Sequence, residues 1–376
     1  MDKKVLTALA AVVVVIIAIG AVIASGVLTT PPQSNVIYYK TYLPSQQKTV
    51  IGNHSVDGGI MWEPFVSDAV LSGTGHVLVN SKDLFPNHPC CVIVVREEFA
   101  VAHPDLVNAV LKAHIEANKW IADAVANKVT NPTNYSKLLG MGASFSGVSE
   151  AAVAASLDDM ILDYHLTSAF KSGMANFTQL YLNTTPPLLK MSDITGKGYS
   201  SVQNFIDNYL NDSYLAAAEA VQPSATSLGT VSIAYLTGDL HQFARVVAMN
   251  TTLFPGGKNL FQIYGVTVTD PQPGGYQNGG GVMTAITAGS LANGPNVGYL
   301  GCAPAIRNYL TGDITKLNTR IVAAVNSEGS ALVVNSDIHT VKDLGGKVVA
   351  TPGVSSIQQL MLIEIAKQYN MTLSSK

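Results

Sequence analysis

Three short runs of apolar residues in the last third of the chain each end in a loop of small residues. The runs lie at 296–306, 320–334 and 343–358, and their loops are rich in Gly, Ser, Pro and Asn. Continuous apolar runs of this length predict buried parallel strands of an α/β sheet. The last loop precedes Ile357–Gln368, whose spacing predicts a helix capped by Ser355 or Ser356. Ligands of open α/β sheets bind at such strand ends, so this stretch predicts a binding site.

The rest of the chain also alternates short strand patterns with helical ones. β-branched, aromatic or continuously apolar segments predict strands at 36–43, 91–95, 231–236 and 260–268. Helical spacing predicts helices at 45–51, 99–125, 148–157, 177–182, 202–209 and 242–249. Polar or glycine-rich segments predict loops at 83–89, 137–147 and 190–200. The glycine-rich run at 274–281 lacks the spacing of a nucleotide-binding loop, so nucleotide binding is not expected there.

Composition adds size and charge to this α/β prediction. The chain has 376 residues, enough for two lobes, and 47% of them are hydrophobic while only 12% are charged. The net charge is −3 and no run of Lys or Arg follows the first residues, so nucleic-acid binding has no electrostatic support.

The first residues predict export. Lys3 and Lys4 precede an uncharged run at 5–28, which is long enough to span a bilayer as a helix. It is either an uncleaved membrane anchor or a signal peptide cleaved near Ala24, and both place the remainder outside the cytoplasm. Residues 29–34, with two prolines, form a stiff spacer, so 1–34 is treated as one segment. Seven sequons agree with an extracellular or cell-surface glycoprotein and begin at Asn53, Asn134, Asn176, Asn183, Asn211, Asn250 and Asn370.

The three cysteines form neither a disulfide framework nor a metal-binding spacing. Cys90 and Cys91 are adjacent, and Cys302 lies far away in the sequence. Two interpretations remain: a bridge from Cys302 to one of the pair, or three small buried hydrophobic residues. The sequence predicts no metal site, no cofactor and no catalytic residue.

Several ordered motifs resemble a known family. Gly-Cys-Ala-Pro-Ala at 301–305, Ser-Glu-Gly at 327–329 and Asp-Leu-Gly-Gly-Lys at 343–347 are similar to the first lobe of ABC-transporter substrate-binding proteins of the nitrate, sulfonate, taurine and thiamine-precursor group. Val-Asp-Gly-Gly-Ile-Met-Trp-Glu-Pro at 56–64 and Arg-Glu-Glu-Phe with His-Pro-Asp-Leu-Val at 96–107 resemble the second half of that family. The resemblance implies a two-lobed α/β fold of the periplasmic-binding-protein-like type II class.

Relative to that family, the two halves of this chain stand in the opposite order. The resemblance implies a circular permutation with a small-lobe segment at 35–89, large-lobe segments at 90–215 and 231–350, a linker at 216–230 and a second small-lobe segment at 351–376. Three arrangements are compatible with it: closure within one chain, exchange of halves between chains, or a fragment of a tandem array. Closure within one chain is favoured, because each half alone leaves an unpaired sheet edge.

The implied function is capture of a small molecule between two lobes for uptake through an ABC permease, with no enzymatic activity. Trp62 and Tyr276 could stack on a ring, and backbone N–H groups at 355–357 could hold an anion. The alternative is a membrane-tethered surface-assembly subunit, in a filament or surface layer, that self-associates by exchanging halves. The candidate ligand-binding residues are His241, Asp239, Tyr276, Gln277, Gly301, Cys302, Asn326, Ser327, Glu328, Thr351, Ser355, Ser356, Trp62 and Glu63.

Overall fold

The computed structural model describes residues 34–288, 294–312 and 318–376. The predicted anchor or signal segment at 5–28 lies outside these residues. Among the described residues, no single helix has the length and apolar content needed to cross a membrane; one pair of consecutive helices, Pro132–Ser146 and Glu150–Asp159, meets both conditions together but is bent by 101°.

The first of two six-stranded sheets contains strands from both ends of the chain. Its strands are β1 (Val36–Thr41), β2 (Gly58–Trp62), β3 (His76–Asn80), β10 (Ser330–Val334), β11 (Val348–Thr351) and β12 (Thr372–Ser375), in the order β12-β1-β11-β2-β10-β3. β1 pairs in parallel with β12 on one side, where Ile37 lies opposite Leu373, and with β11 on the other. The last strand of the chain therefore lies beside the first strand of the same molecule.

The second sheet is built from the middle of the chain. Its strands are β4 (Pro89–Arg96), β5 (Met160–Leu162), β6 (Gly229–Ala234), β7 (Val266–Thr269), β8 (Val297–Gly301) and β9 (Thr319–Glu328), in the order β5-β9-β4-β8-β6-β7. β4 pairs antiparallel with both β8 and β9, whereas β6 pairs in parallel with β7 and β8. The molecule is thus a mixed α/β protein with two sheets, as the sequence predicts.

Sixteen α-helices connect and cover the strands in the described part of the chain. They are α1 (Pro44–Gly52), α2 (Phe65–Leu71), α3 (Ser81–Leu84), α4 (Glu97–Ala102), α5 (Pro104–Ala126), α6 (Pro132–Ser146), α7 (Glu150–Asp159), α8 (Ser168–Leu182), α9 (Met191–Gly196), α10 (Val202–Tyr209), α11 (Ser213–Glu219), α12 (Phe243–Ala248), α13 (Leu260–Ile263), α14 (Gly279–Ala288), α15 (Cys302–Thr311) and α16 (Ile357–Gln368). Short 3₁₀ turns occur at Leu240–Gln242, Pro255–Gly257 and Val341–Leu344.

Both faces of the first sheet are buried, which explains its continuous apolar runs. In β10, Leu332 belongs to the apolar cluster on one face and Val333 to the cluster on the other. Ile60 and Met61 of β2 are divided in the same way. Because successive side chains of a strand point to opposite faces, a strand covered on both sides must be apolar throughout.

Within the residues that the structure describes, the chain passes between the two sheets in two places. The first connection runs from β3 through α3 to β4, and the second is Gly329 alone, between β9 and β10. Glu328 has φ 62° and Gly329 has φ 82°, so two consecutive residues adopt left-handed conformations at the second crossing. The two sheets are thus joined through α3 and through Gly329.

Several sequence-based predictions of local structure are wrong. The glycines of 137–147 predict a loop, but residues 137–146 lie within α6, where Gly142 packs closely against Val153 and Phe243. Part of 260–268 is the helix α13, and part of 190–200 is the helix α9. The apolar runs at 320–334 form β9 and β10, which pair antiparallel with their neighbours and not in parallel. Burial on both faces makes a strand apolar without fixing its direction.

Candidate functional site

A small cavity lies between the two sheets, and residues of both sheets line it. The first sheet and the loop after it contribute Trp62, Pro352 and the beginning of α16, and the second sheet contributes the starts or ends of β4, β6 and β8. The free volume is about 30 Å³, roughly enough for one or two water molecules. The lining residues are Trp62, Cys90, Cys91, Leu236, Asp239, His241, Asn278, Gly279, Gly301, Pro304, Pro352, Ser356, Ile357 and Gln358.

An irregularity in β4 brings the side chains of Cys90 and Cys91 to the same cavity. Adjacent residues of a regular strand point to opposite faces. Here the pairing of β4 with β9 shifts register between Pro89 and Cys91 and again between Cys91 and Val92. Such a bulge re-aims side chains locally. Both thiols are therefore buried against the same neighbour, His241.

His241 is held by hydrogen bonds around the 3₁₀ turn that follows β6. Its backbone N–H donates to Asp239 Oδ1 over 2.9 Å, and its Nε2 donates to the carbonyl oxygen of Gly329 over 2.8 Å. A carbonyl can only accept, so Nε2 carries a proton and Nδ1 is the atom that faces the thiols. Nδ1 lies 3.3 Å from Cys90 Sγ and 3.9 Å from Cys91 Sγ.

The buried groups alter one another's proton affinity. Burial alone would raise the pKa of the Cys90 thiol, but the hydrogen bond from Cys91 and the charge of His241 outweigh it and hold that pKa well below its ordinary value. Burial opposes the charge of His241, yet the negative charges of Cys90 and Asp239 raise its pKa to about 10. Both shifts favour a thiolate at Cys90 beside a protonated His241. Burial raises the pKa of Asp239 to about 6.

Trp62 forms part of the wall contributed by the first sheet. It ends β2, is 6% exposed, and its indole Nε1–H has no hydrogen-bond acceptor among the described residues. An unpaired buried donor costs about 1–3 kcal/mol. A donor of this kind on a cavity wall is suited to a ligand that carries an acceptor.

The start of α16 contributes a second polar edge to the same wall. Ser356 caps the helix, because its Oγ accepts from the backbone N–H of Gln359 over 3.1 Å. The capping prediction for Ser356 is confirmed. Its own backbone N–H donates to the Gly353 carbonyl, and the Gln358 side chain donates to Ser330 Oγ over 2.8 Å.

Five of the predicted site residues line the cavity, and the others lie elsewhere. Lining residues are Trp62, Asp239, His241, Gly301 and Ser356. The remaining predicted residues, outside the lining set, are Glu63, Tyr276, Gln277, Cys302, Asn326, Ser327, Glu328, Thr351 and Ser355.

Most of these other residues are engaged in structural contacts. The buried carboxyl group of Glu63 is hydrogen-bonded to Ser67 and Ser156. The side chain of Asn326 accepts from the backbone N–H of Cys91, and that of Glu328 accepts from Asn87. Three more side chains form hydrogen bonds: Thr351 Oγ1 with Gln359, Ser355 Oγ with Arg307, and Cys302 Sγ with the Pro89 carbonyl. Ser327 takes part in the pairing of β9 with β5, and Tyr276 forms a backbone bridge to Leu236. Gln277 is exposed.

The sequence-based reasoning did not assign Cys90 and Cys91 to the cavity. All three cysteines are free and buried, so no bridge joins Cys302 to the pair. The signal that was available was the adjacency of the two cysteines, but their common direction depends on the bulge.

The sequons leave another prediction untested: Asn53, Asn176, Asn183 and Asn370 are exposed, and Asn134, Asn211 and Asn250 are partly exposed.

Comparison with known proteins finds a match over part of the chain. A family model described as the NMT1-like family matches residues 37–131, about a quarter of the chain. This family belongs to the nitrate, sulfonate and taurine binding-protein group. The matched segment includes Trp62 and both cavity cysteines.

One curated relative is also similar over a short segment. The bicarbonate transport ATP-binding protein CmpC of Synechocystis sp. (strain ATCC 27184 / PCC 6803 / Kazusa) is 33% identical over 87 residues, which are 23% of this chain and 13% of that protein. The chain therefore spans only a small part of the length of this relative. No solved structure matches the chain.

Proposed function

We propose that this protein captures a small ligand outside the cytoplasm and delivers it to an ABC permease. The observation that carries the proposal is the cavity between two sheets, with walls contributed by both. The similarity of residues 37–131 to the NMT1-like family supports a solute-binding role. The protein has no enzymatic role in this proposal.

Ligand capture would proceed by rotation of the two lobes about the crossings at α3 and Gly329. Each lobe packs most of its apolar residues within itself, while Ile357 and Leu360 of α16 join the cluster of the second lobe, so rotation would slide this helix against the second lobe. In the open form the cavity walls separate and admit the ligand, and closure buries it. Asp239, His241 and Gly301 would contact it from the second sheet, and Trp62 and Ser356 from the first.

The order of the lobes follows from the same proposal. We place the boundary between the second and first lobes at Gly329 instead of residue 350, because β10 and β11 pair with β1–β3. Relative to the binding-protein family, the chain is then circularly permuted, and α11 with the segment after it joins the usual ends. The uncharged run at 5–28 would tether the protein to the membrane or be removed after export.

A ligand screen, combined with alanine variants of the two tryptophans, tests the proposal. Melting temperature and calorimetric titration are measured with nitrate, bicarbonate, sulfonates, pyrimidines, flavins and transition-metal ions. We expect one class to raise the melting temperature and to reduce the radius of gyration in solution scattering. Trp62→Ala should weaken that binding at least about 10-fold, because it removes an indole from the cavity wall and leaves a gap.

The chain offers a matched control in its second tryptophan, Trp120, which lies in α5 outside the cavity lining. Trp120→Ala should leave the affinity unchanged, and Trp120→Phe leaves Trp62 as a single fluorescent reporter of binding. Absence of a shift with every class, or equal losses in the two alanine variants, would contradict the proposal.

A further inference from the structure

Two thiols and one imidazole meet at a single buried point of the cavity. The Sγ atoms of Cys90 and Cys91 and one ring nitrogen of His241 all lie within 4.8 Å of one another. We propose that this point binds one thiolate-preferring metal ion of the zinc class, held by Cys90, Cys91 and His241, with the Asp239 carboxylate beside it. The ion would then be the ligand that the proposed capture function takes up, and this assignment rests on that function. The metal site itself does not depend on it.

The separations between the ligand atoms match a tetrahedral site. Zinc bonds of about 2.3 Å to sulfur and about 2.0–2.1 Å to nitrogen or oxygen require edges of about 3.5 Å between sulfur and the lighter atoms. Cys90 Sγ lies 3.3 Å and Cys91 Sγ lies 3.9 Å from His241 Nδ1. Cys91 Sγ lies 3.8 Å from Asp239 Oδ2. The two edges between sulfur and nitrogen therefore need shifts of only a few tenths of an ångström to accommodate a metal ion.

The second layer of contacts orients each ligand. Nε2 of His241 donates to the Gly329 carbonyl, which leaves Nδ1 for the metal, as in histidine ligands whose other ring nitrogen is hydrogen-bonded. The N–H of His241 binds Asp239 Oδ1, so Oδ2 is the carboxylate oxygen directed to the thiols. The N–H of Cys91 donates to Asn326 Oδ1 and fixes the bulge. The proton on Nδ1 and that of the Cys91 thiol leave for solvent when the ion binds, whereas Cys90 needs to release none when it is already the thiolate.

The chemistry of the cavity selects among ligands. Thiolate and imidazole favour zinc and related ions, whereas Ca²⁺ and Mg²⁺ require oxygen ligands. The lining residues include no Lys or Arg, so an inorganic anion alone would find no cationic side chain there. A volume of about 30 Å³ accepts an ion far more readily than an organic solute.

Metal titration of the full chain tests this site. Protein treated with a chelator and a reductant is titrated with Zn²⁺ in competition with a chromophoric chelator, and separately with Co²⁺. We expect one equivalent to bind, with a thiolate-to-cobalt charge-transfer band and the intense visible absorption of tetrahedral cobalt. Cys90→Ser, Cys91→Ser and His241→Gln should each weaken Zn²⁺ binding by about 100-fold or more, since loss of outer-layer partners alone costs about 10–100-fold. Ca²⁺ should not compete.

Cys302→Ala is the matched control, because this thiol is also buried but contacts the Pro89 carbonyl outside the cavity lining. Circular dichroism and melting of the metal-free variants verify that each has folded. The site is overturned if folded wild-type protein gives no thiolate–cobalt band, or if Cys302→Ala loses as much affinity as Cys90→Ser. If Zn²⁺ fails to bind while another ligand closes the lobes, the capture function stands without the metal. If Zn²⁺ binds without closing the lobes, the metal site stands and capture of the ion falls.

Discussion

Gly329→Ala is expected to lower the free energy of unfolding by about 3 kcal/mol. Gly329 has φ 82°, a conformation that costs an L-residue about 1–2 kcal/mol. A methyl group at this position would lie 2.5 Å from His241 Nε2 and 2.7 Å from the Met160 side chain, and such overpacking adds about 1–3 kcal/mol. Denaturant unfolding measures the change. Because the Gly329 carbonyl accepts from His241, the same variant should weaken ligand binding in the cavity.

Gly256 provides a control with the same backbone conformation and free space around it. Its φ is 77°, and no atom lies within 4 Å of the position that a Cβ would occupy. Gly256→Ala should therefore cost only the backbone term of about 1–2 kcal/mol and leave ligand binding unchanged. Equal losses of stability in the two variants would show that the contact between Gly329 and His241 is not tightly packed.

The second large effect is a pH dependence of the free energy of unfolding, caused by Glu63. Burial raises the pKa of this carboxyl from 4.5 to about 7, although hydrogen bonds from Ser67 and Ser156 act in the opposite direction. In the unfolded chain Glu63 loses its proton above pH 4.5, while the folded protein keeps it up to about pH 7. The unfolded state thus binds fewer protons in this window, so stability falls as pH rises, by about 3 kcal/mol in total, and changes no further above it.

Glu63→Gln removes this contribution and isolates it from other buried acids such as Asp239. Between pH 4.5 and pH 7, the unfolding free energy of the wild type should fall by about 3 kcal/mol relative to that of the variant. The geometry already fits a protonated carboxyl, since the Ser156 hydroxyl lies 2.6 Å from the Ala152 carbonyl and can accept from Glu63. Asp159 and its partner Lys82 are the charged groups nearby. A difference that stays constant with pH would contradict the account.

Glu63 also shows why part of the candidate site could not be predicted from sequence. A Trp-Glu-Pro motif at the end of a strand indicates an aromatic side chain and a carboxylate at a cleft, and Trp62 does line the cavity. Glu63 instead turns towards Ser67 and Ser156, and Ser156 lies on α7, 93 residues away. Contacts between distant segments of this kind depend on packing, which local patterns do not contain.

Elements defined by local chemistry were predicted well. The helix α16 and its Ser356 cap follow from a serine before an apolar, helically spaced run. α10 occupies the predicted Val202–Tyr209, and β1 begins at the predicted residue. Glycines were the main source of error, because Gly142 allows close packing between helices and does not interrupt α6.

The cysteine pair combines both situations. Adjacent cysteines are visible in the sequence, but His241 is 151 residues from Cys90, and only the bulge in β4 directs both thiols towards it. A search for metal-ligand spacing therefore finds nothing. The hydrogen bond between His241 and the Gly329 carbonyl also joins the cavity to the second crossing between the sheets, so in the proposed capture function ligand binding and lobe rotation would act on the same contact.

Whether one molecule completes its own first lobe is tested most directly by a cross-link between β1 and β12. Tyr39 and Ser375 are register partners on these parallel strands, whose separation of about 4.8 Å suits a disulfide. Tyr39→Cys combined with Ser375→Cys is oxidised in dilute solution and analysed by intact mass after denaturation. The account predicts a cross-linked monomer, with no cross-link in either single variant. Covalent dimers or ladders from the double variant would contradict it and would indicate exchange of halves between molecules.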